Sequence, residues 1–336
     1  MRKLDVFTHI WPKAFHEALL KTTGQMKDMH RRSEAVPMMT NLDRRFQVMD
    51  MFEGYQQILS LASPAPDAAG PPKVWRELAQ IGSDSMAELC RKYPERFPSF
   101  IASVPMRDPE GAVEEARRAV KDLNACGIQI YSNVVGKALD APEFRPVFRE
   151  MERLGKPIWI HPARTASFPD YQTELLSLYE IWWTFGWPYE SSVAQARIVF
   201  SKMLDEMPGL KFIIHHAGGM IPFFEGRVGP GWDQLGTRTS GTDYRPLLKE
   251  LKKRPLDYFK LFYADTATFG SKSALVCALD FYGIDHMLFS SDAPFDPEGG
   301  PMYIRETIRV IDSLNISSQE REKLYYKNAC TLLGIS

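Results

Sequence analysis

The sequence is short of several things, and each shortage closes off a class of protein. Cysteine is scarce: Cys90, Cys126, Cys277 and Cys330 are the only four in 336 residues, and no two form a CxxC pair. Neither a disulfide framework nor a thiolate metal knuckle is expected, and a reducing compartment follows. An excess of one charge is missing too, since 41 Lys and Arg face 42 Asp and Glu for a net charge of −1. Nothing in that balance points to nucleic acid or to a membrane surface. No apolar run reaches the roughly 18 residues of a spanning helix. No apolar leader precedes the first strand-like segment, so a cytoplasmic location is expected. Internal repeats and low-complexity tracts are absent, and no glycine-rich phosphate turn follows the first strand.

What is present is one element type, used again and again. Short β-rich runs end in polar residues and are followed by helical stretches: LDVFTHI (4–10), QQILSLASP (56–64), PSFIASVPM (98–106), GIQIYSNV (127–134), PIWIHPA (157–163), KFIIHHAGG (211–219), LFYADTATF (261–269) and HMLFSSDAP (286–294). DPEGAVEEARRAVKDLNACG shows the helical part, with Ala112, Val113, Ala116, Val120 and Leu123 at helical spacing and Gly127 as the expected stop. Strands alternating with helices predict parallel strands. Eight units predict a (β/α)8 barrel over residues 1–336, read as one domain. A doubly wound open sheet is the alternative, weakened by the missing phosphate turn. Residues 14–42 and 220–257 exceed a minimal barrel and are expected on the carboxyl-end face, where barrel active sites form.

Three of the eight runs carry histidine at the strand's carboxyl end: His9, His161 and the pair His215–His216. The last run ends in Asp292. A lone histidine there is more often a hydrogen-bonded structural residue, but such residues on four strand ends gather at one barrel mouth. Imidazole and carboxylate together make a site for a divalent transition metal. In LDVFTHIWP, Asp5, Phe7 and His9 alternate, so a regular strand would turn all three to one face. Asp265 fits two roles, an acceptor that orients a histidine or a cap of the next helix. His16 and His30 fall in the first insertion as surface or lid residues. His286 begins a strand at the wrong end for catalysis and reads as structural. The cluster YEIWWTFGWPYE (179–190), which contains Trp187, reads as packing or as a pocket wall.

GKPIWIHPAR, MPGLKFIIHHAGGMIPFFEGR and IDHMLFSSDAPF resemble signature segments of the amidohydrolase superfamily. They resemble most the branch of aminocarboxymuconate-semialdehyde, resorcylate and carboxyvanillate decarboxylases. NLDRRFQVMD, VPMRDPEGAVEEARRAV, LDAPEFRPVFREMERLGKP and the terminal KNACTLLGI extend the likeness nearly end to end. The resemblance implies a distorted (β/α)8 barrel with one divalent metal at its mouth, expected to be Zn²⁺, with Mn²⁺ also suited. It implies His161 and Asp292 as ligands and His216, rather than His215, as the catalytic histidine. Arg227 matches an arginine that in those decarboxylases reaches the neighbouring subunit's site, which implies a homodimer. The first strand departs from the pattern: Phe7 stands where a ligand histidine is expected, and a phenyl ring cannot ligate. The repaired set reads Asp5, His9, His161 and Asp292.

The resemblance implies non-oxidative decarboxylation of an aromatic or unsaturated acid. The metal would act as a Lewis acid, His216 would move a proton, and Arg227, with Arg45 or an arginine of HRRSE, would hold the carboxylate. Phe7 and Trp187 are expected to pack against the substrate. A hydrolase of the same superfamily, acting on a lactone or amide with Asp292 as proton acceptor, is the second reading. A metal-free binding protein on the same fold is the third, prompted by Phe7.

Overall fold

The computed structural model describes residues 1–23 and 29–335, so residues 24–28 of the first expected insertion lie outside the described residues. Eight parallel strands form one sheet in the order β1 (Lys3–Ile10), β2 (Tyr55–Leu61), β3 (Ser99–Ser103), β4 (Gly127–Tyr131), β7 (Ile158–His161), β8 (Phe212–Ile214), β9 (Tyr263–Asp265) and β10 (Met287–Leu288). Two short strands, β5 (Asn133–Val134) and β6 (Lys137–Ala138), form a separate antiparallel hairpin. The first and last strands meet, with Val6 N donating to Phe289 O at 2.9 Å and His9 N to Ala293 O at 2.8 Å. The sheet is thus a nearly closed, distorted (β/α)8 barrel, and a doubly wound sheet is ruled out.

Parallel strands covered on both faces must be apolar on both. Leu4, Val6, Ile58, Ile101, Trp159, Ile213 and Leu288 fill the barrel interior, and Leu332 and Leu333 of the last helix pack against them. A larger apolar shell, including Phe100, Ile128, Phe148 and Phe212, joins the strands to the surrounding helices. The helix expected after the third strand spans Pro109–Asp122 and is capped by Asp108, whose side chain accepts from Gly111 N. It ends before Gly127, which instead opens β4.

One irregularity matters for the site. The β1–β2 register slips between Asp5 and Thr8, with Asp5 opposite Gln57 and His9 opposite Ser60. The step from Gln57 to Ser60 is odd, so the two partners face opposite sides of β2. An extra residue bulged into β1 therefore separates Asp5 from the face of His9.

Candidate metal centre

The carboxyl ends of the strands bring four elements to one rim. His9 lies near the end of β1, His161 ends β7, His215 directly follows β8, and Asp292 follows β10. His9 Nε2 and His215 Nε2 lie 3.0 and 3.1 Å from Asp292 Oδ1, and His216 Nε2 lies 3.6 Å from Oδ2. One ligand atom each of His9, His161 and His215 falls within 4.8 Å of the others, and the same holds for His215, His216 and Asp292. His9 Nε2, His215 Nε2 and Asp292 Oδ1 are buried without a hydrogen-bond partner among the described residues. Unsatisfied buried polar atoms are costly. Donors each about 2.1 Å from one shared ion stand roughly 3.0 to 3.4 Å apart, so these atoms fit a divalent metal between them.

The opposite ring nitrogens are already engaged, which fixes which atom is free. His161 Nδ1 donates to Pro162 O at 2.7 Å. His215 Nδ1 donates to the Asp265 carboxylate. Ser60 Oγ gives its proton to Thr8 O, so it accepts from His9 Nδ1 at 3.2 Å. In each of the three rings Nδ1 is engaged and Nε2 is the atom turned to the centre, the arrangement that outer hydrogen bonds impose on ligating histidines.

Consecutive residues of a strand point to opposite faces, yet His215 and His216 both reach Asp292. The chain turns left-handed at His216 (φ 55°) and Ala217 (φ 55°), which brings the rings of His215 and His216 to 4.0 Å between centroids. Asp265 Oδ1 pins the turn by accepting from Ala217 N at 3.3 Å and from Ala267 N at 3.1 Å. Gly218 follows at φ 81°, where a Cβ would lie 2.2 Å from Tyr282 Oη. Asp292 is left-handed as well (φ 61°). Such costly backbone conformations often cluster at functional sites.

Charge follows the geometry. Burial, then the neighbouring His9 and His215, holds His161 well below its ordinary pKa, so its imidazole is neutral. Burial opposes charge on His215, but the carboxylates of Asp265 and Asp292 outweigh it and push its pKa up to about 10. Burial likewise works against ionised Asp292, but His215 beside it keeps the carboxyl well below the usual range. Burial and His215 lower the pKa of His216. The carboxylates thus favour positive charge at His215, while burial and His215 itself disfavour it at His161 and His216.

Asp5 does not join the cluster, contrary to the expectation from strand alternation. The β1 bulge turns it to the face of Tyr55 and Gln57. There its carboxylate accepts from Tyr55 Oη at 2.6 Å, Ser291 N at 3.2 Å, Ser291 Oγ and Phe7 N. Arg45 is also fully buried and away from the cavity: its guanidinium donates to Gln57 Oε1 at 2.7 Å, Met38 O at 3.2 Å and His9 O, so it braces the His9 strand instead of meeting substrate. Phe7 is buried under the cluster, its ring centroid 4.5 Å from His215 and 4.8 Å from His9, and it does not line the cavity. Burial raises the Asp5 pKa to about 7 against its hydrogen bonds. A carboxyl whose pKa rises on folding stabilises the fold below its free value near 4, and that contribution is lost as pH climbs through 7. Asp5→Asn should leave metal content unchanged. Its stability relative to wild type should rise by up to about 4 kcal/mol between pH 4 and pH 7, read by urea unfolding.

Above the cluster lies a cavity of about 1110 Å³ whose floor includes His9, His161, His216 and Asp292. Trp182, Trp183, Trp187, Phe269 and Phe295 supply much of its wall. Trp187 Nε1 donates to Arg164 O at 3.1 Å, which fixes the indole beside His216 and His161. Arg32, from the first insertion, and Phe223, from the second, also line this space. Arg227 is exposed and does not line it. Asp265 takes the role of histidine orienter. His215 is the residue the resemblance passed over; the repeated histidine in IIHHAGG was its only signal. His286 bonds Phe262 O at 3.0 Å through Nδ1 and stacks on Tyr263, a structural role.

Comparison with known proteins gives the family. The amidohydrolase family model matches residues 5–335. A gamma-resorcylate decarboxylase of Rhodococcus jostii is 30% identical over 307 residues, 87% of each chain. A 2-amino-3-carboxymuconate-6-semialdehyde decarboxylase of Dictyostelium discoideum is 28% identical over 99% of this chain and 92% of its own. The crystal structure of a dihydroxybenzoic acid decarboxylase from a Polaromonas species, with manganese and 2-nitroresorcinol bound, superposes with a TM-score of 0.78 at 26% identity, covering 99% of this chain and 97% of that one. The chain belongs to the amidohydrolase family.

Proposed function

We propose that this protein is a metal-dependent, non-oxidative decarboxylase of aromatic carboxylic acids. The observation that carries the reading is His216, which faces an aromatic-walled cavity beside a buried cluster of free imidazole and carboxylate donors. The decarboxylase relatives decide between this chemistry and hydrolysis, because the same residues could serve either. His9, His161 and Asp292 would hold the metal. When bound, the metal supplies Lewis-acid polarisation of a substrate carboxylate or adjacent hydroxyl oxygen. Imidazole and carboxylate suit both Zn²⁺ and Mn²⁺, and the Polaromonas relative holds manganese.

The chain's own residues do the rest. The indoles and phenyl rings exclude water and stack on a planar substrate. His216 delivers a proton to the ring carbon that carries the carboxylate; the carbon–carboxyl bond then breaks, CO₂ leaves, and its bonding electrons restore the aromatic ring. Burial and the neighbouring His215 lower the His216 pKa, so the ring holds an added proton weakly and gives it up easily. The experiment is CO₂ release from a panel of hydroxybenzoates and related unsaturated acids by metal-loaded protein. Hydrolysis of lactones or amides without CO₂ release would reject the reading.

Arg32 is the one Lys or Arg that lines the main cavity among the described residues. It donates to Phe295 O at 2.7 Å and Asp296 O at 3.3 Å through Nη2, leaving other N–H groups to meet a carboxylate. Arg32→Met should raise KM about 10- to 100-fold with metal content unchanged, the weight of one hydrogen bond to a charged group. Arg227 suits the role of a residue given to a neighbouring copy, in a homodimer. Exposed Leu175 (92%), Tyr179 (90%) and Phe223 (79%) supply the apolar surface such an assembly needs. Light scattering tests the dimer. Among the described residues no helix is long and apolar enough to cross a membrane, and four free cysteines fit the cytoplasm.

A further inference from the structure

We infer that His215 is the fourth metal ligand, and that it does the work the first strand cannot do in this chain. The inference rests on the metal-dependent reading above and adds to it a set of three imidazoles and one carboxylate: His9, His161, His215 and Asp292. Three observations converge. His215 Nε2 is buried without a hydrogen-bond partner among the described residues and sits 3.1 Å from Asp292 Oδ1, as His9 Nε2 does at 3.0 Å. Its other nitrogen is tied to Asp265, which itself is held by Ala217 N and Ala267 N, so the ring has one orientation. The first strand offers nothing in its place: Phe7 presents its ring to the cluster, and Asp5 is turned away with four hydrogen bonds of its own.

The cavity sorts the two adjacent histidines. His216 is among its lining residues and His215 is not. A proton donor must reach the substrate, which His216 can and His215 cannot, so the left-handed turn at His216 lets one dipeptide serve two roles. The set also has a consequence for charge. Metal binding displaces the second His215 proton; three imidazoles and one carboxylate then leave a divalent ion with a net charge of +1, where a second carboxylate would cancel it. A residual positive charge draws the carboxylate or phenolate of an aromatic acid to the centre.

Metal analysis and X-ray absorption on the intact protein test this separately from the function. If wild type takes up no Zn²⁺ or Mn²⁺ even when supplied, the metal-dependent reading itself fails. If it does take up metal, extended fine structure of the Zn²⁺ form should count three imidazoles; two would overturn the role of His215. Chelator competition on variants gives the second readout. His215→Ala should weaken metal binding by more than the roughly 10- to 100-fold that loss of an outer partner costs, and His216→Ala by far less. The reverse ranking would overturn the inference. Should His215→Ala fail to fold, the absorption count on wild type decides alone.

Discussion

His216→Ala lowers turnover by about 10²- to 10⁴-fold, the range of a single general acid–base group, while the metal content stays at the wild-type level. The expectation follows from where the side chain sits. Its imidazole lines the cavity and stacks near Trp187, with ring centroids 6.4 Å apart. Its Nε2 lies farther from the Asp292 carboxylate than the nitrogens of His9 and His215 do, 3.6 Å against 3.0 and 3.1 Å. Its Nδ1 is buried without a hydrogen-bond partner among the described residues, so nothing anchors the ring in the fashion of the other three. Removing it takes away a proton donor and opens space beside Trp187, but no bond to the ion. Elemental analysis and CO₂ release, measured on the same preparation, separate the two effects. Loss of metal in step with loss of turnover would mean that His216, not His215, is bound to the ion.

The sequence made the barrel legible because its information is local. Each strand announces itself by a short β-rich run, and each run's polar end faces one rim by topology alone. His9, His161 and Asp292 could be named for that reason. Their neighbours could not, because two local irregularities broke the simple rules. Alternation along LDVFTHIWP put Asp5 with His9, but the slip between Asp5 and Thr8 turns it to the opposite face. Nothing in nine residues reveals that bulge, nor that the partners of Asp5 would be Tyr55 and Ser291, 50 and 286 residues away. Likewise, alternation along IIHHAGG allows one histidine at the site, whereas the left-handed backbone at His216 admits both. Arg45 was misjudged on charge: a guanidinium can serve as a buried brace when three acceptors meet it, and Gln57 Oε1 with the carbonyls of His9 and Met38 do so. Burial in that network lowers its pKa to about 10.

Asp292→Asn should abolish detectable turnover and strip the metal, the largest effect expected of any single substitution here. The carboxylate is the one anionic donor in the cluster, and both of its oxygens are used: Oδ1 faces His9 and His215, and Oδ2 faces His216. An amide keeps the shape but loses the charge. It would also turn an N–H₂ group toward imidazoles whose lone pairs the ion needs, so that a hydrogen bond to imidazole replaces a bond to the ion. Loss of so direct a partner exceeds the roughly 10- to 100-fold cost of losing an outer one. Stability should respond in parallel. A metal present at a thousand times its dissociation constant stabilises the native state by about 4 kcal/mol. Chelation of wild type should therefore lower Tm, whereas Asp292→Asn should melt at one temperature with or without chelator. Calorimetry on four samples, two proteins each with and without chelator, checks this. A variant that still shifts its Tm with metal would show that the three imidazoles alone hold the ion, and that the last-strand carboxylate serves His216 instead.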